Sequence, residues 1–377
     1  MTILNSSKGC SVIAAPQHAG PTTHFFYVDL LRGFAAYAVV ICHYRWFFAR
    51  WPGDFRPDAD LPLYSTLWPI YDYGGLAVQL FWVLSGFVFY VAYGSYGKHL
   101  SARTFWSNRF SRLYPLHFVT LLVVAFLQIV SLAIYGRSQV YSNNDALHFA
   151  LQLLMASDWF PIGNSFNGPI WSVSVEVLIY LIFLIVVKRS TLNLRAALLL
   201  TVVGSILAHL TQSNILLCLA LFFSGVTIGI VNPILVKHLS TQQLWGLMLI
   251  SLLAVIVAAI GAHFFTNVKL RTVLIFLGSP MLLFTFITFD VAAKELPLCL
   301  RWIGASTYSV YLWHMPIVIA AKLAWGGSLP RFMLSPLSLC LFILLVGLLG
   351  TWSYQTIESP AQRWLRLVLK PPQGAKK

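Results

Sequence analysis

Residues 25–48 read FFYVDLLRGFAAYAVVICHYRWFF, a run long and apolar enough to span a bilayer as a helix. Asp29, Arg32 and His43 interrupt that run. Ionisable groups at membrane depth are costly, and they mark a site, a pathway or a buried pair. Arg32 and His43 are eleven residues apart. At 3.6 residues per turn that is close to three full turns, so a helix presents both from nearly one face, about 16 Å apart along its axis. One reading of this stripe is functional. The other is structural: Arg32 reaches the membrane surface and pairs with Asp29 three residues earlier, and His43 is a satisfied polar group near the far end.

The rest of the chain has the same character. It has 377 residues, 58% of them hydrophobic and 10% charged, with a mean hydropathy of +0.77. No soluble domain of this size has that composition, and the chain reads as an all-α, polytopic membrane protein. The formal charge of +14 does not point to nucleic acid, because membrane proteins concentrate Lys and Arg in their cytoplasmic loops. Five cysteines, at positions 10, 42, 218, 299 and 340, show no paired spacing, so free thiols are expected, with no disulfide framework and no metal site. Residues 1–24 lack a cleavable-signal pattern and read as a flexible tail, residues 25–366 as one membrane domain, and 367–377 as a short basic tail.

Ten spans are expected, at about 25–48, 74–93, 113–135, 168–187, 196–210, 214–232, 243–264, 271–289, 302–323 and 333–353. Segment 145–158 is apolar but too short to cross, and is expected to lie at the surface or partly buried. Sixteen Lys and Arg residues fall on the side of the two termini and eight on the other, with Arg32 inside the first span. That bias predicts both termini in the cytoplasm. The outer loops would then be 49–73 and 136–167, whose mixture of aromatic and polar residues suits either a sugar surface or the aromatic belt of the interface.

Four further stretches carry chemistry. In RTFWSNRFSRLYPLH (103–117), Arg109 and Arg112 stand three apart and can share a helical face. Guanidinium forks match phosphate oxygens, so the cluster either holds a nucleotide-like cofactor or simply signals topology. In NGPIWSVSVEVLIY (167–180), Glu176 falls near mid-bilayer, where a carboxylate needs a cation, a donor or a proton. In ASTYSVYLWHMP (305–316), His314 is deep in a span and precedes a kinking proline; a lone His there reads first as structural. In the last, Glu358-Ser359-Pro360 ends the final span and a basic amphipathic turn follows, an expected interfacial anchor.

Taken together, these stretches resemble the acyltransferase-3 family of integral-membrane O-acyltransferases. VDLLRGFAAYAVVICH resembles the family's Arg-x10-His signature, FWVLSGFVFY its second-helix motif, and NRFSRLYPLH its Arg-x-x-Arg with a following Pro. NGPIWSVSVEVLIY, YSVYLWHMP and IESPAQRWLR follow in the family's order, and the likeness covers roughly 25–366. Two features depart from the pattern. Val177 follows Glu176 where a second acidic residue is common, and no esterase-like domain is expected after the tenth span.

The resemblance implies transfer of acetyl or another short acyl group from cytoplasmic acyl-CoA to a hydroxyl of a cell-surface polysaccharide, lipopolysaccharide or lipid-linked glycan. It places such a protein in the bacterial cytoplasmic (inner) membrane, with membrane lipid and a glycan acceptor as its partners. Carried over residue by residue, Arg32 and His43 are the essential pair, and Arg109 and Arg112 are the donor-site arginines. Glu176 joins His43 and Arg32 as a candidate catalytic group, and Arg32 also counts toward the donor site. The imidazole can act as general base toward the sugar hydroxyl or carry the acyl group itself. A transporter or flippase without covalent chemistry is the alternative, with the Arg32/His43 stripe as a proton relay. The acceptor, the acyl length and the oligomeric state are left open.

Overall fold

The structure is a computed structural model that describes residues 25–49, 60–189, 192–264, 269–292, 304–326 and 330–369. The tail 1–24, residues 370–377 of the C-terminal tail, Cys10, Cys299 and residues 50–59 of the loop expected outside lie beyond them.

The first span is helix α1 (Phe26–Cys42), which tightens into a 3-10 turn at His43–Phe47. Then come α2 (Tyr64–Tyr73), α3 (Ala77–Tyr93), α4 (Ala102–Tyr135), α5 (Ala146–Leu153), α6 (Ile170–Lys188), α7 (Leu194–Thr211), α8 (Asn214–His238) and α9 (Thr241–Phe264). Helix α10 (Leu270–Val273) passes through a π turn (Leu274–Gly278) into α11 (Ser279–Ala292). Helix α12 (Thr307–Ala324) precedes α13 (Pro336–Ser353), which continues through a second π turn (Tyr354–Glu358) into α14 (Ser359–Leu369). The described residues contain no strand. The chain is therefore an all-α, multi-pass membrane protein, and each of the ten expected spans has its helix.

Local chemistry fixes the boundaries. The hydroxyl of Ser101 accepts from the amide of Thr104 at 3.3 Å and starts α4 eleven residues earlier than the apolar run alone predicts. Pro115, the expected start of that span, lies inside the helix. Asn193 caps α7 by accepting from the amide of Ala196 at 2.9 Å, and Ser213 starts α8 in the same way. Residues 64–73, expected as outer loop, are helical despite Pro69. Segment 146–153 is the short non-spanning helix that its length predicts.

Packing sorts the helices by polarity. Nine helical segments among the described residues are apolar and long enough to cross a membrane, and α12 falls short of them in hydropathy. The reason is position. Twelve of its 18 residues are buried, including Ser309, His314 and Lys322, so it meets protein rather than lipid. By contrast, α9 turns Leu249, Ile250, Leu253, Ile256, Val257 and Ile260 outward, as a lipid-facing helix should. Helix α12 packs on α1, α4 and α13. Helices α3 and α8 cross most closely, through Gly86 and Gly225. A Cβ at Gly86 would overlap the carbonyl oxygen of Phe222, and one at Gly225 that of Val83. Small residues allow such backbone approach where no hydrophobic effect drives helices together.

Candidate active site

Helices α1, α3, α4, α6 and α12 enclose a chamber of about 120 Å³. Its polar lining is Arg32 from α1, Ser85 from α3, Arg109 and Arg112 from α4, and Ser172 and Glu176 from α6. On α3 the lining runs from Val78 to Phe89, which at 1.5 Å per residue is a length of about 16 Å. Four of the five residues singled out in the sequence thus face one space, although three helices contribute them. The fifth, His43, is not among the lining residues.

The arginines are held differently. Arg32 donates to Asp29 Oδ1 at 3.2 Å, so the structural pairing expected for it exists and the side chain still faces the chamber. Arg112 forms an ion pair with Glu358 at 2.8 Å; Glu358 is fully buried and also accepts from the Ser309 hydroxyl at 2.6 Å. Arg109 has no carboxylate within 4 Å among the described residues. It donates to Tyr93 Oη at 3.2 Å and lies 4.6 Å over the ring of Phe89, while its buried Nε has no partner. Phe89 stacks on Tyr180 at 4.4 Å, and the Tyr180 hydroxyl donates to Glu176 Oε1 at 2.7 Å. A ladder of rings therefore connects the free arginine to the buried carboxylate.

His43 follows Cys42 directly and is the first residue of the 3-10 segment. That turn is fixed from three directions. Arg45 donates to the carbonyl of Tyr71 at 2.6 Å. The hydroxyl of Tyr44 donates to the carbonyl of Met333 at 2.7 Å. Lys322 donates to the carbonyls of Trp46, Phe47 and Ala49 at 3.3, 3.2 and 2.6 Å, a cation on the orphan carbonyls of a helix C-terminus. Helix α1 is unbroken from Arg32 to Cys42, so His43 stays close to the Arg32 stripe, and the 3-10 turn that it opens packs against α12. There His43 Nδ1 lies 2.8 Å from Nε2 of His314.

His314 is fully buried, and its Nδ1 lies 2.5 Å from the carbonyl oxygen of Tyr311. Tyr311 lines the chamber, and its ring centroid is 5.7 Å from that of His314. The histidine pair therefore stands directly behind the chamber wall. The Tyr311 hydroxyl is fixed by the carbonyl of Pro169 at 3.0 Å and by the Ser172 hydroxyl at 2.9 Å.

Pro316 explains part of this layout. It has no amide hydrogen, so the carbonyl of Leu312 four residues back is released from the helix ladder. Asn167 Nδ2 donates to that carbonyl at 3.2 Å, which ties the turn before α6 to the middle of α12.

Sequence reasoning missed two partnerships. It read His314 as a lone structural residue, but its distance from His43 in the chain (271 positions) hid the contact. It read Glu358 as part of an interfacial anchor. The exposed Trp364, Leu367 and Val368 of α14 fit that reading, whereas Glu358 turns inward to Arg112. A carboxylate beside the π turn of a membrane helix, with a surplus of arginines to pair with, was the available signal for the second. Among the described residues, no group of three His, Cys, Asp or Glu could hold a metal ion. Cys42, Cys218 and Cys340 are free thiols.

The amides of the loop 136–167 are largely engaged within it and by the end of α4. Gln128 Nε2 donates to the carbonyl of Gln139 at 2.8 Å, and its Oε1 accepts from the Gln139 amide at 2.9 Å. Asn144 accepts from the amide of Phe166 at 2.7 Å. Asp145 caps α5 through the amide of His148, and that bond, followed by the one from the His148 ring, holds its carboxyl below the usual range.

The fold and this site define a multi-pass membrane protein with a buried, arginine-lined chamber next to a histidine pair. Comparison with known proteins gives the family. Residues 25–355 match the Acyl_transf_3 model, an acyltransferase domain, and the chain belongs to that family. It is 38% identical over 160 residues to acyltransferase MdmB of Streptomyces mycarofaciens, covering 41% of this chain and 36% of the relative. It is 24% identical over 345 residues to a putative peptidoglycan O-acetyltransferase, YrhL, of Bacillus subtilis (strain 168), covering 76% of this chain and 50% of the relative. It is also 35% identical over 107 residues to protein 2 in the picA locus of Rhizobium radiobacter, covering 28% of this chain and 46% of the relative. The chain thus spans half or less of the length of these curated relatives. No solved structure matches it.

Proposed function

We propose that this protein transfers acetyl, or another short acyl group, from acyl-CoA to a hydroxyl of a cell-surface polysaccharide, lipopolysaccharide or lipid-linked glycan in a bacterial inner membrane. One observation carries the reading: Arg32, Arg109, Arg112 and Glu176 line a single chamber whose wall backs onto the His43–His314 pair. The naming of a relative as a putative peptidoglycan O-acetyltransferase supports a glycan acceptor.

In this reading the donor enters from the cytoplasm at the arginine end. Arg109, with spare donors and an unpartnered Nε, is the first phosphate ligand, and Arg112 offers the part of its fork that Glu358 does not hold. The donor's slender pantetheine arm enters the chamber, and its nucleotide stays outside with the phosphates at the arginines. The length of about 16 Å along α3 suits such an arm. At the far end His43 takes the proton of the acceptor hydroxyl as its oxygen bonds to the acyl carbon. The carbon–sulfur bond breaks, and the leaving thiolate recovers that proton from the imidazolium as CoA-SH. Arg32 stabilises negative charge on the donor or on the developing oxyanion.

The test is transfer of labelled acetyl to isolated glycan, with donor affinity measured in parallel by calorimetry. His43→Ala should lose transfer and bind acyl-CoA as tightly as the wild type. Arg109→Ala should weaken donor binding about 30-fold, the loss of one charge-assisted bond of about 2 kcal/mol. Transfer by a folded His43→Ala protein at the wild-type rate would sink the mechanism.

A further inference from the structure

We propose that His314 is a positioning residue that fixes the tautomer of His43, leaving Nε2 of His43 as its unprotonated nitrogen. The inference rests on the acyl-transfer reading for its purpose and on geometry for its content.

The geometry determines each proton in turn. The partner of His314 Nδ1 is a backbone carbonyl, which can only accept, so Nδ1 carries a hydrogen and donates it to Tyr311. A fully buried imidazole with no carboxylate partner is neutral. With its one hydrogen on Nδ1, its Nε2 is an acceptor. The atom 2.8 Å away, His43 Nδ1, must then be the donor. A neutral His43 with its hydrogen on Nδ1 keeps its lone pair on Nε2. The two rings are nearly coplanar, at 15°, with centroids 5.0 Å apart. Since their nearest nitrogens are at hydrogen-bond distance, the contact is edge to edge, with the N–H directed along the ring plane.

The consequence is chemical. A free imidazole exchanges its hydrogen between two nitrogens, and only one of them can face the acceptor hydroxyl. A carbonyl, a first imidazole and a second imidazole in series remove that ambiguity. The arrangement is that of an orienting group, a relay and a base, in which one ring nitrogen is set by the bond the other makes. Helix α12 is suited to the task because the Leu312 carbonyl that Pro316 frees is held by Asn167, and Tyr311, the ultimate acceptor, is anchored through its hydroxyl to α6. Lys322, three turns from Tyr311 on the same helix, holds the turn that carries His43. One helix therefore controls both the backbone and the proton of His43.

The experiment is 15N NMR on histidine-labelled protein in detergent near pH 8. The His43 signals are assigned by their disappearance in His43→Gln. The expected spectrum of the wild type has a protonated Nδ1 and a bare Nε2 for His43, and His314→Leu moves the hydrogen wholly or partly to Nε2. In parallel, His314→Leu should lower turnover about 100-fold or more while donor Kd changes less than twofold. His314→Gln, which restores an acceptor opposite His43 Nδ1, should recover at least about a tenth of the wild-type turnover. A wild-type His43 with its hydrogen on Nε2 overturns the inference even where His314→Leu does not fold. Full turnover by His314→Leu alongside an inactive His43→Gln also overturns the inference but leaves acyl transfer standing. A His43→Gln protein that turns over normally removes both.

Discussion

Arg112 illustrates how one side chain can serve the fold and the chemistry together. Its partner Glu358 is fully buried and bonded to Ser309, so Arg112→Ala would leave a carboxylate without its counter-ion. Breaking such a pair from one side costs about 3–5 kcal/mol, whereas removing both charges costs much less. Arg112→Ala should therefore lower the melting temperature of the detergent-solubilised protein markedly, and Arg112→Ala with Glu358→Gln should recover most of the loss. Donor affinity separates the roles. If the arginine also meets phosphate, the double variant regains stability but still binds acyl-CoA about tenfold or more weakly, by the loss of a charge-assisted bond of about 1.5–3 kcal/mol. Wild-type donor affinity in the stable double variant would assign Arg112 to the fold alone. Arg109, with ring contacts and no acidic partner within 4 Å among the described residues, should behave in the opposite way: a small change in stability and a large one in binding.

Helix α12 lacks one hydrogen bond of its ladder. Pro316 frees the carbonyl of Leu312, and Asn167, in the turn before α6, replaces the missing amide. An unsatisfied buried carbonyl costs about 1–3 kcal/mol, so Asn167→Leu should destabilise by roughly that much. Pro316→Ala restores an amide hydrogen at the right place, so in that background Asn167→Leu should cost distinctly less. Unfolding in denaturant across the four proteins gives the coupling directly, and additive effects would show that the bond does not replace the missing amide. The element was half legible from sequence. The apolar run and the proline placed a kinked span at about 302–323, and His314 was noted within it. Burial on all sides was not legible, because one chain carries no record of which helices surround another. A residue such as His314 then looks alone until the partner 271 positions away is brought to it.

The bundle as a whole makes the site from residues that periodicity could find but not assemble. Helix α1 is regular between Arg32 and His43, as the spacing expects; the 3-10 turn that His43 opens is held by Arg45, Tyr44 and Lys322, and Arg32 lines the chamber while His43 meets His314 behind its wall. The proposed mechanism makes the arginines and the histidine pair opposite ends of one donor path, and the direction of that path across the membrane decides whether acyl-CoA can reach it. Acyl-CoA is cytoplasmic, so the mechanism requires Arg109 and Arg112, near the start of α4, on the cytoplasmic side and the loop after α4 outside. The sixteen-to-eight distribution of Lys and Arg predicts the same orientation. Single cysteines replacing Arg103 and Asn143, in a background with the native cysteines removed, test both at once. In intact cells an impermeant maleimide should label the Asn143→Cys protein and spare Arg103→Cys until the membrane is permeabilised. The reverse pattern would put the arginine end of the chamber in contact with a compartment that holds no acyl-CoA, and neither the donor path nor His43 as the base that meets an outer acceptor would survive it.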